Sequence, residues 1–170
     1  MAKRVTPVGR GWRWTWDDLG VDIHVSDAAA AALKRYRQPL GGVERGGLLF
    51  ADPSHPAGLV LARVTPPHAA DQASGHSIVM DPARCAGEIR SANAVGLRLI
   101  GFWHSHPEDV PNLSTIDISN FRSLGRRCPV DLPWPLAIIV GRDLGADGIR
   151  AWSVRPDRIH RAERSNPINS

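Results

Sequence analysis

The sequence predicts a mixed α/β (α+β) domain, and three observations carry that prediction. Short apolar runs bounded by Gly, Pro and Asp recur at residues 48–51, 59–64, 97–103, 136–140 and 149–154, as expected of strands. Three other segments open on helix-capping residues, Ser26, Asp81 and Ser114. The two kinds follow one another as strand, helix, several strands, helix, strand, helix, strand, strand, which puts helices on the faces of a largely mixed sheet. A chain of 170 residues with 42% hydrophobic content fits a single domain with a sizeable core.

Taken in order, residues 1–16 read as an N-terminal arm. Residues 1–10 are polar and basic, and Trp12, Trp14 and Trp16 then recur at every second position, the period of a strand with one aromatic face. Burial in the core is the expectation; a docking surface for a partner is the alternative. Val21, Ile23 and Val25 alternate as a strand, leaving His24 on the solvent side. Ser26 caps an Ala-rich helix over 27–37, with Asp27 where the helix dipole favours an acid. Gly41 and Gly42 turn the chain into a strand that carries Glu44. The runs at 48–51 and 59–64 are joined by a hairpin-like loop holding His55. Residues 66–77 form a polar loop with His68 and His76, too widely spaced to act as ligands and read as substrate-facing or inert.

A short strand at 78–80 leads to a helix capped by Asp81, with Pro82 at its first position, ending near Ala94. Residues 97–103 are a strand, and Ser114 opens a helix that stops near Gly125. A Pro-rich loop over 126–135 precedes a buried strand at 136–140, a turn at 143–148 and a last strand at 149–154. Residues 17–156 are thus the body of the domain. Residues 157–170 are a polar, Arg-rich tail with one amphipathic turn at Ile159 or no order. There are no internal repeats.

The net charge is +4 and the pI about 9.8, and only Lys3 and Lys34 among the 21 cations are lysines. No block of cations alternates with aromatics, so the Arg excess reads as spread over the surface and nucleic acid is not the expected partner. Cys85 and Cys128 have neither CxxC spacing nor a neighbouring His and read as reduced, packed thiols. The basic N-terminus lacks an apolar signal region and no apolar run approaches a membrane span. The expectation is a cytoplasmic protein without a membrane partner.

The chemistry concentrates in residues 101–117, GFWHSHPEDVPNLSTID. Residues i and i+2 of a strand share a face, so His104 and His106 project together at the end of the 97–103 strand. Ser114 reads as a helix N-cap with Asp117 in the first turn, a carboxylate the loop can return to the histidines. Two imidazoles and a carboxylate, with a fourth position for water, describe a catalytic zinc site rather than a closed structural one. Singly, each piece has a plainer reading: a strand-end HxH pair, and a capping box at Ser114-x-x-Asp117. Together they are hard to assemble by accident.

His104-Ser105-His106-Pro107, followed by Ser114 and then Asp117, resembles the JAMM motif of the MPN-plus metalloproteases. That motif needs an upstream glutamate in a stretch reading E-x-x-G-x-L-x-G. Glu44-Arg45-Gly46-Gly47-Leu48-Leu49-Phe50-Ala51 fits it, with Ala51 in place of the last Gly. The resemblance covers about residues 21–154.

The resemblance implies the MPN (cytidine-deaminase-like) fold, a curved, barrel-like mixed sheet flanked by helices. It implies one Zn²⁺ per chain held by His104, His106 and Asp117. Glu44 would hold the water and shuttle its proton, and Ser114 would donate to the oxyanion, a role that competes with N-capping. A backbone donor is the alternative for that task. Glu108 and Asp109 read as loop carboxylates facing substrate or solvent, and Ser105 as bracing the strand from the opposite face. The implied activity is that of a zinc-dependent isopeptidase or peptidase. It would hydrolyse the amide bond after the C-terminus of a ubiquitin-like or similarly conjugated protein, as deconjugation or precursor processing. Compact prokaryotic members of the family serve small conjugation systems, antiviral ones included, so the implied partners are a conjugated tail and an activating or conjugating enzyme system. The loops at 66–77 and 126–135 are candidate walls for the tail. Three alternatives stand beside this: a catalytically silent MPN scaffold, a hydrolase of a small amide or sulfur-carrier conjugate, and a nucleic-acid-associated protein using the basic surface.

Overall fold

The computed structural model describes residue 9 and residues 11–166; the rest of the basic start, and residues 167–170 of the tail, lie outside the described residues. The elements are β1 (Arg13–Trp16), β2 (Val21–Val25), α1 (Asp27–Arg35), β3 (Gly46–Asp52), β4 (Val60–Val64), β5 (Gln72–Ala73), β6 (Ile78–Val79) and α2 (Pro82–Ala94). After these come β7 (Arg98–Ser105), α3 (Thr115–Arg127), β8 (Leu136–Val140), β9 (Ile149–Val154), β10 (Ile159–Arg161) and β11 (Glu163–Ser165). Nine strands form one sheet in the order β10-β9-β8-β7-β3-β4-β2-β1-β11. The pairs β2–β4 and β7–β8 are parallel and the others antiparallel. This is the mixed α+β architecture with a curved sheet that the sequence predicts.

The sheet is nearly closed. β10 pairs with β9 at one end of the strand order, and β11 pairs with β1 at the other. Only Ala162 separates β10 from β11, and its N–H donates to Ala151 O at 2.9 Å. Trp16 Nε1 donates to His160 O at 2.9 Å, and the His160 imidazole meets the Asp18 carboxylate. One short segment therefore joins both edges. The expectation of an amphipathic turn or no order around Ile159 is corrected here: these residues are strands, and β1 of the N-terminal arm is hydrogen-bonded into the same sheet.

Both faces are covered, which explains the uninterrupted apolar runs of β3 and β8. The inner face packs Trp14, Leu49, Leu61, Trp103 and Ile138 with Leu33 of α1. Trp12 and Trp16 are buried in the same cluster, with Trp12 edge-on to Trp14 at 5.4 Å, so the Trp repeat serves the core. On the outer face, Leu48 and Phe50 pack against Ala92 of α2, while Ala137, Ile139 and Trp152 pack against Phe121 of α3. The three helices are capped where expected: Ser26 Oγ accepts from Ala29 N, Asp81 from Arg84 N and Ser114 from Asp117 N.

Helix ends and loops differ from the sequence reading in instructive ways. α1 stops at Arg35, and α3 runs past Gly125 to Arg127. A side chain at Gly125 would stand 2.7 Å from Pro133 O, so this glycine allows a close approach within the helix rather than ending it. The polar loop over 66–77 contains β5, which pairs antiparallel with β6 as a separate two-stranded ribbon. Cys85 and Cys128 are free thiols. Among the described residues, no helix is long and apolar enough to cross a membrane.

Candidate metal centre

The site forms where β3 and β7 lie side by side. Gly46 pairs with His104 in antiparallel register, and the two chains continue together beyond the strands. Ser105 N donates to Arg45 O at 2.7 Å, and Arg45 N to Ser105 Oγ at 2.9 Å. Continuing this alternation sets Glu44 opposite His106. Even-numbered residues of both chains share a face, so Glu44, His104 and His106 come to one side and Ser105 to the other. Ser105 thus braces the strand from the far face, as the sequence suggests. Glu44 itself precedes β3 rather than lying on a strand. Its N–H is fixed by Ser74 O at 2.7 Å.

Asp117 arrives from α3. His104 Nε2 is 3.1 Å from His106 Nε2, 3.0 Å from Asp117 Oδ1, and His106 Nε2 is 3.3 Å from Asp117 Oδ2. All three ligand atoms lie within 4.8 Å of one another. Two ligands bound about 2.0–2.1 Å from a tetrahedral zinc stand about 3.3 Å apart. The Nε2–Nε2 spacing is close to that value, and each imidazole faces one oxygen of the Asp117 carboxylate, so the residues present fit a zinc ion. His104 and His106 are buried, and the His104 ring is stacked with Phe121 at 6.5 Å.

Glu44 is 5% exposed. Burial pushes its carboxyl up to about 7, with His106 opposing and Asp117 and Glu108 adding to the shift. Burial also works to raise Asp117. Its hydrogen bonds with His104, His106 and Ser114 outweigh that and hold it well below the usual carboxylate range. For His106, burial favours the neutral ring, but Asp117, Glu108 and Glu44 together raise it above the ordinary imidazole value. A strongly perturbed carboxyl beside a ligand triangle marks a functional site on physical grounds. The site opens into a cleft of about 630 Å³ lined also by Met80, Phe102, Ile116, Leu124 and Arg127.

The sequence profile of prokaryotic homologs of the JAB domain matches residues 26–155, spanning every site residue named above. The chain belongs to this JAB family. The JAB domain is also 30% identical over 134 residues to a protein named CD-NTase/cGAS isopeptidase from Pseudomonas aeruginosa (strain BWHPSA011 / Pa011), covering 76% of this chain and 84% of that one. Its fold matches the solution structure of protein DSY2949 from Desulfitobacterium hafniense with a TM-score of 0.60. That match has 22% identity and covers 82% of this chain and 88% of the other; it speaks for the fold alone.

Two features of this JAB domain were not read from the sequence. Glu108 does not simply face substrate or solvent: its Oε2 stands 3.0 Å from His106 Nδ1. That contact fixes the ring so that Nε2 faces the triangle, the usual arrangement behind a metal-bound histidine. The second feature is an anchor for the 66–77 loop. Arg84 of α2 binds Asp71 through Nε (3.1 Å) and Nη2 (2.7 Å), and the same Nη2 donates to Gly46 O at 3.0 Å. The loop that holds Glu44 is thereby tied to the start of β3. His76 lines the cleft from this loop. Ser114 caps α3 and also donates to Asp117 Oδ2 at 2.7 Å, while Ser114 N donates to the same oxygen at 2.8 Å. Its hydroxyl therefore orients the Asp117 carboxylate. Gly47 has a packing reason. A side chain there would meet Thr65 O at 2.3 Å and Trp103 Nε1 at 2.7 Å, where the indole donates to that carbonyl.

Proposed function

We propose that this JAB domain is a zinc-dependent isopeptidase that hydrolyses the amide bond after the C-terminus of a ubiquitin-like or similarly conjugated protein. One observation carries the reading: His104, His106 and Asp117 converge beside the buried Glu44, at the head of an open cleft. The isopeptidase name of the Pseudomonas relative supports it. The reading extends to deconjugation or precursor processing in the cytoplasm, within a prokaryotic conjugation system of the antiviral kind that includes an activating or conjugating enzyme.

His104 Nε2, His106 Nε2 and one Asp117 oxygen would hold one zinc per chain. Zinc held there would supply Lewis acidity toward a water and a carbonyl. Glu44 takes the proton from the attacking water. As the carbon–nitrogen bond breaks, the same carboxyl returns that proton to the departing amine; in the metal-free chain burial already raises this carboxyl. Glu108 holds His106 in the required tautomer. Ser114 orients Asp117; to donate to the oxyanion as well, its hydroxyl must turn away from Asp117 Oδ2. β6 pairs only with β5 among the described strands, and its residues line the cleft, so an extended tail can add to its free edge.

The test is cleavage of a tail joined through its C-terminal carboxyl to a lysine-bearing peptide. The protein should cleave it, lose activity in a chelator and regain it with zinc. Glu44→Gln should keep the metal and lose turnover by roughly 10²-fold or more. Undiminished cleavage in the chelator would contradict the reading.

A further inference from the structure

α3 lays out the cleft as a ruler. Ile116, Asn120, Leu124 and Arg127 line it from successive turns of one helix face. Ile116 adjoins the ligand Asp117. Leu124 and Arg127 lie seven and ten residues beyond Asp117, about 10 and 15 Å along the helix at ~1.5 Å per residue. An extended peptide advances ~3.3 Å per residue, so Leu124 stands about three peptide residues from the metal end and Arg127 about four to five.

The lining changes character along this ruler. Its carboxylates, Glu44, Glu108 and Asp117, all sit at the metal end. Further out the walls are mostly aliphatic, with Asn120 among them, and exposed aliphatics stand on both walls, Ile116 beside the metal end at 71% and Val79 on β6 at 65%. Exposed aliphatics on both walls of a cleft mark a contact surface for a partner. Arg127 closes the row as the charged group distant from the metal end, and it has no ion-pair partner among the described residues. An arginine in the substrate would meet aliphatic walls and a like charge here. A carboxylate would meet Arg127.

Resting on the hydrolase reading above, we propose that the cleft selects a conjugated tail with a bulky aliphatic residue about three positions before the scissile carbonyl and an acidic residue one or two positions earlier, and disfavours arginine-bearing tails. The surface is continuous with the metal site, and its one distal charge sets the chemistry of the occupant.

Binding tests this without turnover. Zinc-loaded Glu44→Gln protein is titrated against fluorescent seven-residue peptides that carry Leu with Asp, Leu with Arg, or Ser with Asp at those positions. The Leu–Asp peptide should bind roughly five- to tenfold tighter than the Leu–Arg peptide, the sum of one surface attraction gained and one repulsion avoided. Adding Arg127→Glu should reverse that order. Adding Leu124→Ser should weaken the Leu–Asp peptide more than the Ser–Asp peptide. Equal affinities for the Asp and Arg peptides overturn the proposal, as does a ratio unchanged by Arg127→Glu; the arginine would then only balance the helix dipole. Failure of the hydrolase reading shows separately, as no cleavage of any tail by the zinc-loaded native chain.

Discussion

His106 points Nε2 toward Asp117 with its other ring nitrogen 3.0 Å from Glu108 Oε2, a contact that favours this orientation and tautomer. Glu108→Ala should therefore lower zinc affinity about 10- to 100-fold while leaving thermal stability of the metal-free chain nearly unchanged. Competition with a zinc-sensitive dye, alongside a melting curve, measures both. Ser114 serves Asp117 twice, accepting from its N–H at 3.1 Å and donating to its Oδ2 at 2.7 Å. Ser114→Ala should cost about 1 kcal/mol of stability as a lost cap and weaken zinc binding as well; Ser114→Thr should restore both. At this scale the sequence was most informative. The residue types at 44, 104, 106, 114 and 117 single out a candidate site, and the structure brings the three ligand candidates and Glu44 together. Glu108 escaped because its position depends on the turn at Pro107, which no strand or helix period describes.

The Arg84–Asp71 pair couples α2 to the loop over 66–77 and to β3. Both side chains are almost fully enclosed, at 3% and 4% exposure. Breaking such a pair strands a buried charge, so Arg84→Met should cost about 3–5 kcal/mol in a urea melt and loosen the loop that fixes Glu44. Burial alone would raise the Asp71 carboxyl, but the Arg84 hydrogen bonds and the N–H groups of Asp81 and His68 hold it below its ordinary value. A carboxyl depressed on folding adds stability above its unfolded value near ~3.9 and loses it as pH falls through the folded one. The stability gap between the native chain and Asp71→Asn should accordingly be wide at pH 7 and narrow below about pH 4. Elements with strong periodicity, such as β8 and the body of α2, were legible. The β5–β6 ribbon was not, since two-residue strands carry no period, and Gly125 signalled a helix end because its contact with Pro133 is tertiary.

The whole molecule depends on its last described segment. β10 and β11 hold opposite ends of the strand order through a stretch interrupted only by Ala162. Removing residues 157–170 would expose the edges of β9 and β1 and uncover Trp16, which donates to His160 O. The shortened chain should unfold at much lower urea and aggregate through its open edges; a melt matching the full chain would show the closure to be dispensable. This closure was hidden in the sequence because Ile159, Ala162 and their polar neighbours are too short and too charged to read as strands, and distant partners decide their state. The Trp repeat, by contrast, announced β1, since three indoles on one face leave little choice but a core. The central claim is that this fold gathers three ligands, from β7, the residue that follows it and the first turn of α3, around one zinc ion. Calorimetric titration of zinc into the metal-free chain tests it most directly. The account predicts one tightly bound ion per chain, retained in Glu44→Gln and lost in His106→Ala; no binding by the native chain, or the same stoichiometry after His106→Ala, would contradict it.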